Sequence, residues 1–210
     1  MIIKPTDTVR DILRNRATLF NMAREQLDAQ IAGEACPRFV PVIWWGVWVG
    51  GYRTRSVGSD LYEEAITLRE LERLQHFEGN DVDAFVNTLS VMLRIPPHKV
   101  WRLQFLGAYR YFLEVMTELK KVAKAFDTLK LPIELRLPED GNKYTEIPSR
   151  GIADLVLRFT RGTQYTEEMA YRLRWIYVFR ELQLQWEENC NQRKRLIDER
   201  TKQEQRKHAR

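Results

Sequence analysis

Thr67-Leu68-Arg69-Glu70-Leu71-Glu72-Arg73-Leu74, then Gly79-Asn80, then Asp81 through Leu93 and Pro96-Pro97, is the stretch that decides the fold. Thr67 and Glu70 are spaced as a capping box, and Leu68, Leu71, Leu74 and Phe77 recur at helical steps, so a short helix is expected until Gly79-Asn80 ends it. Asp81 can cap a second helix through Val82, Phe85, Leu89, Met92 and Leu93, which Pro96-Pro97 must stop because proline lacks the donor and restricts its predecessor. A third and longer helix is expected through Trp101, Phe105, Tyr109, Phe112, Met116, Leu119, Val122 and Phe126. Three linked helices of this kind predict a mainly α protein built on a helical bundle.

The flanks extend this reading. Upstream, Val9, Ile12, Leu13, Phe20, Ala23, Leu27 and Ile31 mark one face of a first helix, with Thr8 and Asp11 in a capping relation and Gly33 as its stop. Phe39 to Val49 is β-branched and aromatic and carries Pro41 and Gly46, so one or two short buried strands are expected there, with Gly50-Gly51 supplying a turn. Downstream, Ile133, Leu135 and Leu137 alternate with polar residues ahead of Pro138 to Asn142, which predicts a β-hairpin over 131–147. Ser149 is placed to cap a helix holding Ile152, Leu155, Val156 and Phe159. From Thr166 to Arg210 there is neither Gly nor Pro, which predicts one long C-terminal helix. Four regions follow: residues 1–60, the helical unit 61–130, the packed elements 131–190, and a charged helix end over 191–210.

Composition bounds what the chain does. Its 210 residues are 44% hydrophobic and 11% aromatic, enough for a buried core. The net charge of +5 belongs to Asn191–Arg210, which holds eight basic and three acidic side chains and leaves 26 of each sign in the first 190 residues. A general nucleic-acid binder would spread its excess over the body. Cys36 and Cys190 form no metal or redox spacing, and a reducing, cytoplasmic setting is expected. No run approaches the about 18 apolar residues of a membrane span, so no membrane partner is expected.

Chemistry-bearing motifs are few. His76, His98 and His208 fall on different predicted elements, and neither a phosphate loop, a dinucleotide loop nor a nucleophile elbow occurs. Glu63-Glu64, Glu167-Glu168 and Glu187-Glu188 are adjacent pairs, which diverge on a helix instead of forming a catalytic couple. No catalytic, cofactor-binding or metal-ligating residue is nominated, and a non-enzymatic role is expected.

Contact is the better-supported kind of function. Trp44-Trp45-Gly46-Val47-Trp48 admits three readings: strand core, a protein-docking surface, or a membrane-interface patch, with core packing placed first. Trp44, Trp45 and Trp48, together with Trp175, Phe179, Leu182 and Trp186 on the apolar half of the last helix, are the candidate protein interface, and a homo-oligomer is expected. Arg193, Lys194, Arg195, Arg206 and Lys207 are the candidate nucleic-acid contacts, although Asp198, Glu199 and Glu204 dilute their field and favour a solvated or protein-docking helix.

Glu64-Ala65-Ile66-Thr67-Leu68-Arg69-Glu70-Leu71-Glu72-Arg73-Leu74, Leu89-Ser90-Val91-Met92-Leu93, Arg94-Ile95-Pro96-Pro97 and the following helix resemble helical proteins of bacteriophage tail and virion modules, including tail-assembly chaperone-like proteins. The resemblance covers residues 64–129 and rests on a TL.E...L helix, a second helix and an hIP turn into a third. It implies a structural or assembly protein partnered by other virion or assembly proteins, in the host cytoplasm or the particle, with no catalytic residues.

Overall fold

The computed structural model describes residues 4, 6–13, 37, 39–54, 66–75, 81–130, 132–137, 151–161 and 163–208. These are mainly α-helical: α1 (Val9–Leu13), α2 (Leu68–Gln75), α3 (Asp81–Met92), α4 (Pro97–Val100), α5 (Phe105–Asp127), α6 (Ile152–Arg161), α7 (Glu167–Arg172) and α8 (Trp175–His208). One antiparallel hairpin, β1 (Phe39–Trp44) and β2 (Val47–Arg53), completes the described elements. Two compact units divide the chain within α5, Met1–Lys121 and Val122–Arg210.

In the first unit the caps form as their residue types dictate. The Thr67 backbone N–H and hydroxyl donate to the Glu70 carboxylate at 2.8 and 2.9 Å, and the Glu70 N–H donates back to Thr67 Oγ1 at 3.2 Å. Thr8 and Asp11 repeat the arrangement at α1, with the Thr8 N–H 3.0 Å from the Asp11 carboxylate and the Asp11 N–H 3.2 Å from Thr8 Oγ1. Each cap satisfies amides that the first helical turn leaves without partners. Helix α3 ends at Met92 and Arg94 takes a left-handed conformation (φ 53°), from which the Ile95 N–H reaches the Ser90 carbonyl at 3.1 Å. Pro97 then opens the single turn α4, where its missing donor costs nothing.

Trp101 to Gln104 leaves α4 through a turn (Trp101 φ −61°, ψ −16°) and continues into two β-bridge residues, Leu103 and Gln104, so the third helix begins at Phe105 and not at Trp101. On one side this segment bonds the α1 region: the Val9 N–H donates to the Leu103 carbonyl (2.9 Å), the Arg10 N–H to Trp101 (3.0 Å) and the Phe105 N–H to Asp7 (2.9 Å). On the other side it bonds β1: the Ile43 N–H donates to the Arg102 carbonyl (2.9 Å) and the Gln104 N–H to Pro41 (2.8 Å). Behind it lies an aromatic cluster in which Phe85 meets Phe105, Tyr109 and Phe112 at ring separations of 6.1, 6.4 and 5.0 Å. Leu68, Leu71, Leu74, Leu89 and Leu103 are buried in the same core.

The hairpin register runs Phe39↔Arg53, Val40↔Tyr52, Pro41↔Gly51, Val42↔Gly50, Ile43↔Trp48 and Trp44↔Val47, which leaves Val49 as a bulge. Trp45 and Gly46 form the turn with φ of 53° and 75°, the double left-handed geometry of a two-residue hairpin loop. The expected turn at Gly50-Gly51 therefore sits inside β2. Gly51 is required there, because a Cβ would collide with the Phe39 ring and the Val40 carbonyl.

In the second unit Phe126, Trp175 and Phe179 pack together, with ring separations of 5.9 Å (Phe126 to Trp175) and 5.2 Å (Phe126 to Phe179). The strand expected at Ile133–Leu135 is instead a 3-10 turn, since Pro132 sets its start and only Leu135 of the alternating set is buried. The rest of that expected hairpin, 138–147, lies outside the described residues, as do residues 14–31 of the expected first helix, Gly33, Phe77 to Asn80 and Ser149. The single helix expected from Thr166 is broken: α7 ends at Arg172 and Leu173 is extended (ψ 154°). Ala170 and Trp175 are both buried, yet on a continuous helix they would point about 140° apart. The break lets both face the core.

Replacing Phe85 by Ala should cost about 3–5 kcal/mol, the usual penalty for emptying a buried aromatic site, whereas Thr67→Ala should cost about 1 kcal/mol through the lost cap. Urea unfolding of the two variants tests this ordering.

Candidate functional site

The tryptophans fall into two populations. Trp44, Trp45 and Trp48 gather at the hairpin end with Val47 and Val49, and all five are exposed, Trp45 to 91%. The expectation that this segment is a strand buried on both faces is thus corrected for 44–49: Val40 and Ile43 point into the core, and the end beyond them does not. Backbone bonding explains the division. Segment 101–104 covers β1 as far as Ile43, and past that residue neither strand gains a further strand partner among the described residues.

Two features mark this end as more than a loose loop. Trp45 occupies a left-handed position that asparagine or glycine would take at less cost, and for a bulky L-residue the conformation costs about 1 kcal/mol or more. Arg102, also exposed, lays its guanidinium over the Trp44 ring at 4.0 Å from the centroid. Sequence reading missed Arg102 as a member of the site. A signal for the charge was present: no Asp or Glu occurs between Glu34 and Asp60, nor between Asp83 and Glu114. The two segments that meet at the hairpin therefore contribute only basic charges.

The remaining expected contact residues are placed differently. Trp175 (1% exposed) and Leu182 are consumed in the core of the second unit, so neither is free to dock. Phe179 is half-buried against Phe126 and Trp175, and Trp186 is half-buried with its indole N–H donating to the Lys130 carbonyl at 3.2 Å. The half-buried or buried side chains Leu182, Trp186, Cys190, Arg193 and Ile197 follow one another at steps of three and four, forming one face of α8.

Arg193 belongs to that face, bonding the Leu135 carbonyl at 3.3 Å and the Asn189 side chain at 3.1 Å. Lys194, Arg195 and Arg206 are exposed, and the Lys207 side chain lies outside the described residues. At about 100° per residue Arg193, Lys194 and Arg195 point in three directions, and Arg195 and Arg206 share a face with Lys202, flanked there by Asp198 and Glu199. They do not form a single basic stripe.

Other chemistry is sparse among the described residues. No group of three His, Cys, Asp or Glu side chains there could hold a metal ion, and no helix there is long and apolar enough to cross a membrane. The Tyr177 phenol is held above its ordinary range, chiefly by its hydrogen bond with Tyr165, then by the charge of Tyr165, burial and Glu181, which moves it further from acid–base work near neutrality. Comparison with protein-family models, with curated proteins and with solved structures finds no match for this chain.

Trp175→Ala should lower the stability of the second unit by about 3–5 kcal/mol, while Trp45→Ala should change stability by about 0.5 kcal/mol or less. Thermal unfolding of the pair distinguishes a core tryptophan from a presented one.

Proposed function

We propose that this chain is a non-enzymatic structural or assembly protein of a phage-type particle, acting through protein–protein contacts. The observation that supports the reading is the free end of α8. Its packed face stops at Ile197, and every residue from Asp198 to Arg206 is exposed. Eleven further residues, Asp198–His208, extend the helix by about 16 Å. An isolated helix that short is marginal in water, so this one persists as the continuation of a packed segment. Side-chain pairs such as Gln183 with Glu187 and Gln192 with Glu188 staple that segment four residues apart. A helix carried past its own core is a presented surface, and its mixed charges suit oriented docking against another subunit or assembly partner. The phage-type context comes from the resemblance of residues 64–129.

Light scattering tests the reading. The full chain should form a multiple of the 25.0 kDa monomer, and ending the chain after Ile197 should reduce the mass while leaving the unfolding transition in place. A monomer at every concentration, with or without that end, removes the homo-oligomeric form of the proposal.

A second reading, a phosphate clamp on nucleic acid, is favoured by the exposure of Lys194, Arg195 and Arg206. Three phosphate contacts would give a log–log salt slope of about −3, lost on removing residues 191–210, and no binding at low salt would end the idea.

A further inference from the structure

The geometry points to a lipid surface as the occupant of the hairpin end: we propose that Trp44, Trp45, Val47, Trp48 and Val49 insert into the interface of an anionic bilayer while Arg102 and Lys99 meet its headgroups. The inference is independent of the phage-type reading and concerns a surface contact, not a span.

Three occupants are disfavoured by what the site contains. The chain's own core does not cover these side chains, all of which are exposed. A second copy is a poor match. A two-fold axis there would bring the Arg102 of both copies together with no carboxylate from either hairpin. A single nucleic-acid strand would need free ring faces, but one face of Trp44 is already covered by Arg102, and Val47 and Val49 have no π face to offer.

A bilayer interface suits each feature. The end of a two-stranded ribbon is convex, and a deformable medium can bury a convex apolar end on every side. Tryptophan, apolar in body with one N–H donor, concentrates at the boundary between acyl chains and headgroups. Insertion of an apolar face by about 5–10 Å is the usual depth for surface-bound elements. At that depth Arg102, level with Trp44, reaches the phosphates, and its alkyl stem can lie along the apolar region. Lys99, exposed and joined to Arg102 by the bond from the Arg102 N–H to the Lys99 carbonyl (3.1 Å), adds a second cation beside it, whereas Arg53, about 20 Å behind Val47 at the far end of β2, lies beyond the reach of the surface field.

The nearest carboxylates on the bonded segments are Asp7 and Asp11. Both are engaged in local caps, Asp7 accepting from the Lys4 N–H at 2.8 Å and Asp11 from the Thr8 N–H and hydroxyl. The strained Trp45 is intelligible on the same terms, because the turn residue is the one that enters deepest.

Co-sedimentation of the full chain with vesicles of phosphatidylcholine containing about 30% phosphatidylserine, and quenching of tryptophan emission by brominated acyl chains, test the proposal. The wild-type chain should sediment and be quenched, with weaker binding to pure phosphatidylcholine. Trp45→Asn is the decisive variant, since Asn-Gly is a preferred pair for this turn and keeps the hairpin folded. It should lower partitioning about tenfold, and Lys99→Gln with Arg102→Gln should abolish the preference for anionic vesicles.

Failure of the wild type to sediment at low salt overturns the proposal, as does equal binding by Trp45→Asn, which would assign the binding to the basic end of α8. Sedimentation without bromine quenching overturns insertion. Conversion of an oligomer to a monomer by Trp45→Asn, without vesicle binding, identifies a second copy as the occupant instead.

Discussion

The first unit depends on the backbone of Trp101 to Phe105. This connecting segment lies between the start of α1 and β1 and exchanges hydrogen bonds with both, through Trp101, Leu103 and Phe105 on one side and Arg102 and Gln104 on the other. An isolated two-stranded hairpin is marginal in water, and here its inner strand acquires a third extended neighbour. The same segment leads directly into α5, whose Phe105 and Tyr109 rings join Phe85 in the core. The hairpin is thereby fixed to the helical body at its base. Past Ile43 the bonding ends, and so does the burial.

Local rules made much of the helical structure legible. Thr67 with Glu70 and Thr8 with Asp11 cap the helices that their spacing predicts, and Pro96-Pro97 marks where α3 must already have stopped. The failures share a cause, which is that non-local contacts outvoted local pattern. Trp101 fits the periodicity of α5, but Leu103 and Arg102 give their carbonyls to other segments and the helix starts late. Nothing in Met169 to Val178 breaks a helix by composition, yet burying both Ala170 and Trp175 requires a break. Ile133, Leu135 and Leu137 alternate as a strand would, but no neighbouring strand pairs with them among the described residues, and Pro132 starts a tight turn instead.

The candidate surfaces were legible by residue type and not by role. A tryptophan in a sequence is as ready to be core as contact, and this chain uses both. Trp175 closes an aromatic cluster with Phe126 and Phe179, whereas Trp45 stands almost wholly in water at a left-handed turn position. The deciding information is where strand pairing ends, which the pattern of apolar residues does not encode. What the sequence does encode is charge. The acid-free runs on either side of the hairpin and across the α3–α5 connection could have been seen before any fold was known, and they become meaningful once Arg102 is found against Trp44.

Two presented elements thus carry basic charge for different physical reasons. On α8 the cations are spread around the helix and are interleaved with Asp198, Glu199 and Glu204, so their fields partly cancel over one Debye length and orient a contact more than they drive it. At the hairpin there is no such interleaving, and Arg102 is pinned to an aromatic ring beside an apolar end. Hydrophobic and electrostatic attraction then act on the same side chains and in the same direction. A net charge confined to the last twenty residues conceals this, because the body reaches neutrality by segregating its charges along the chain instead of mixing them everywhere. The hairpin is where that segregation coincides with the largest exposed aromatic side chain of the described residues.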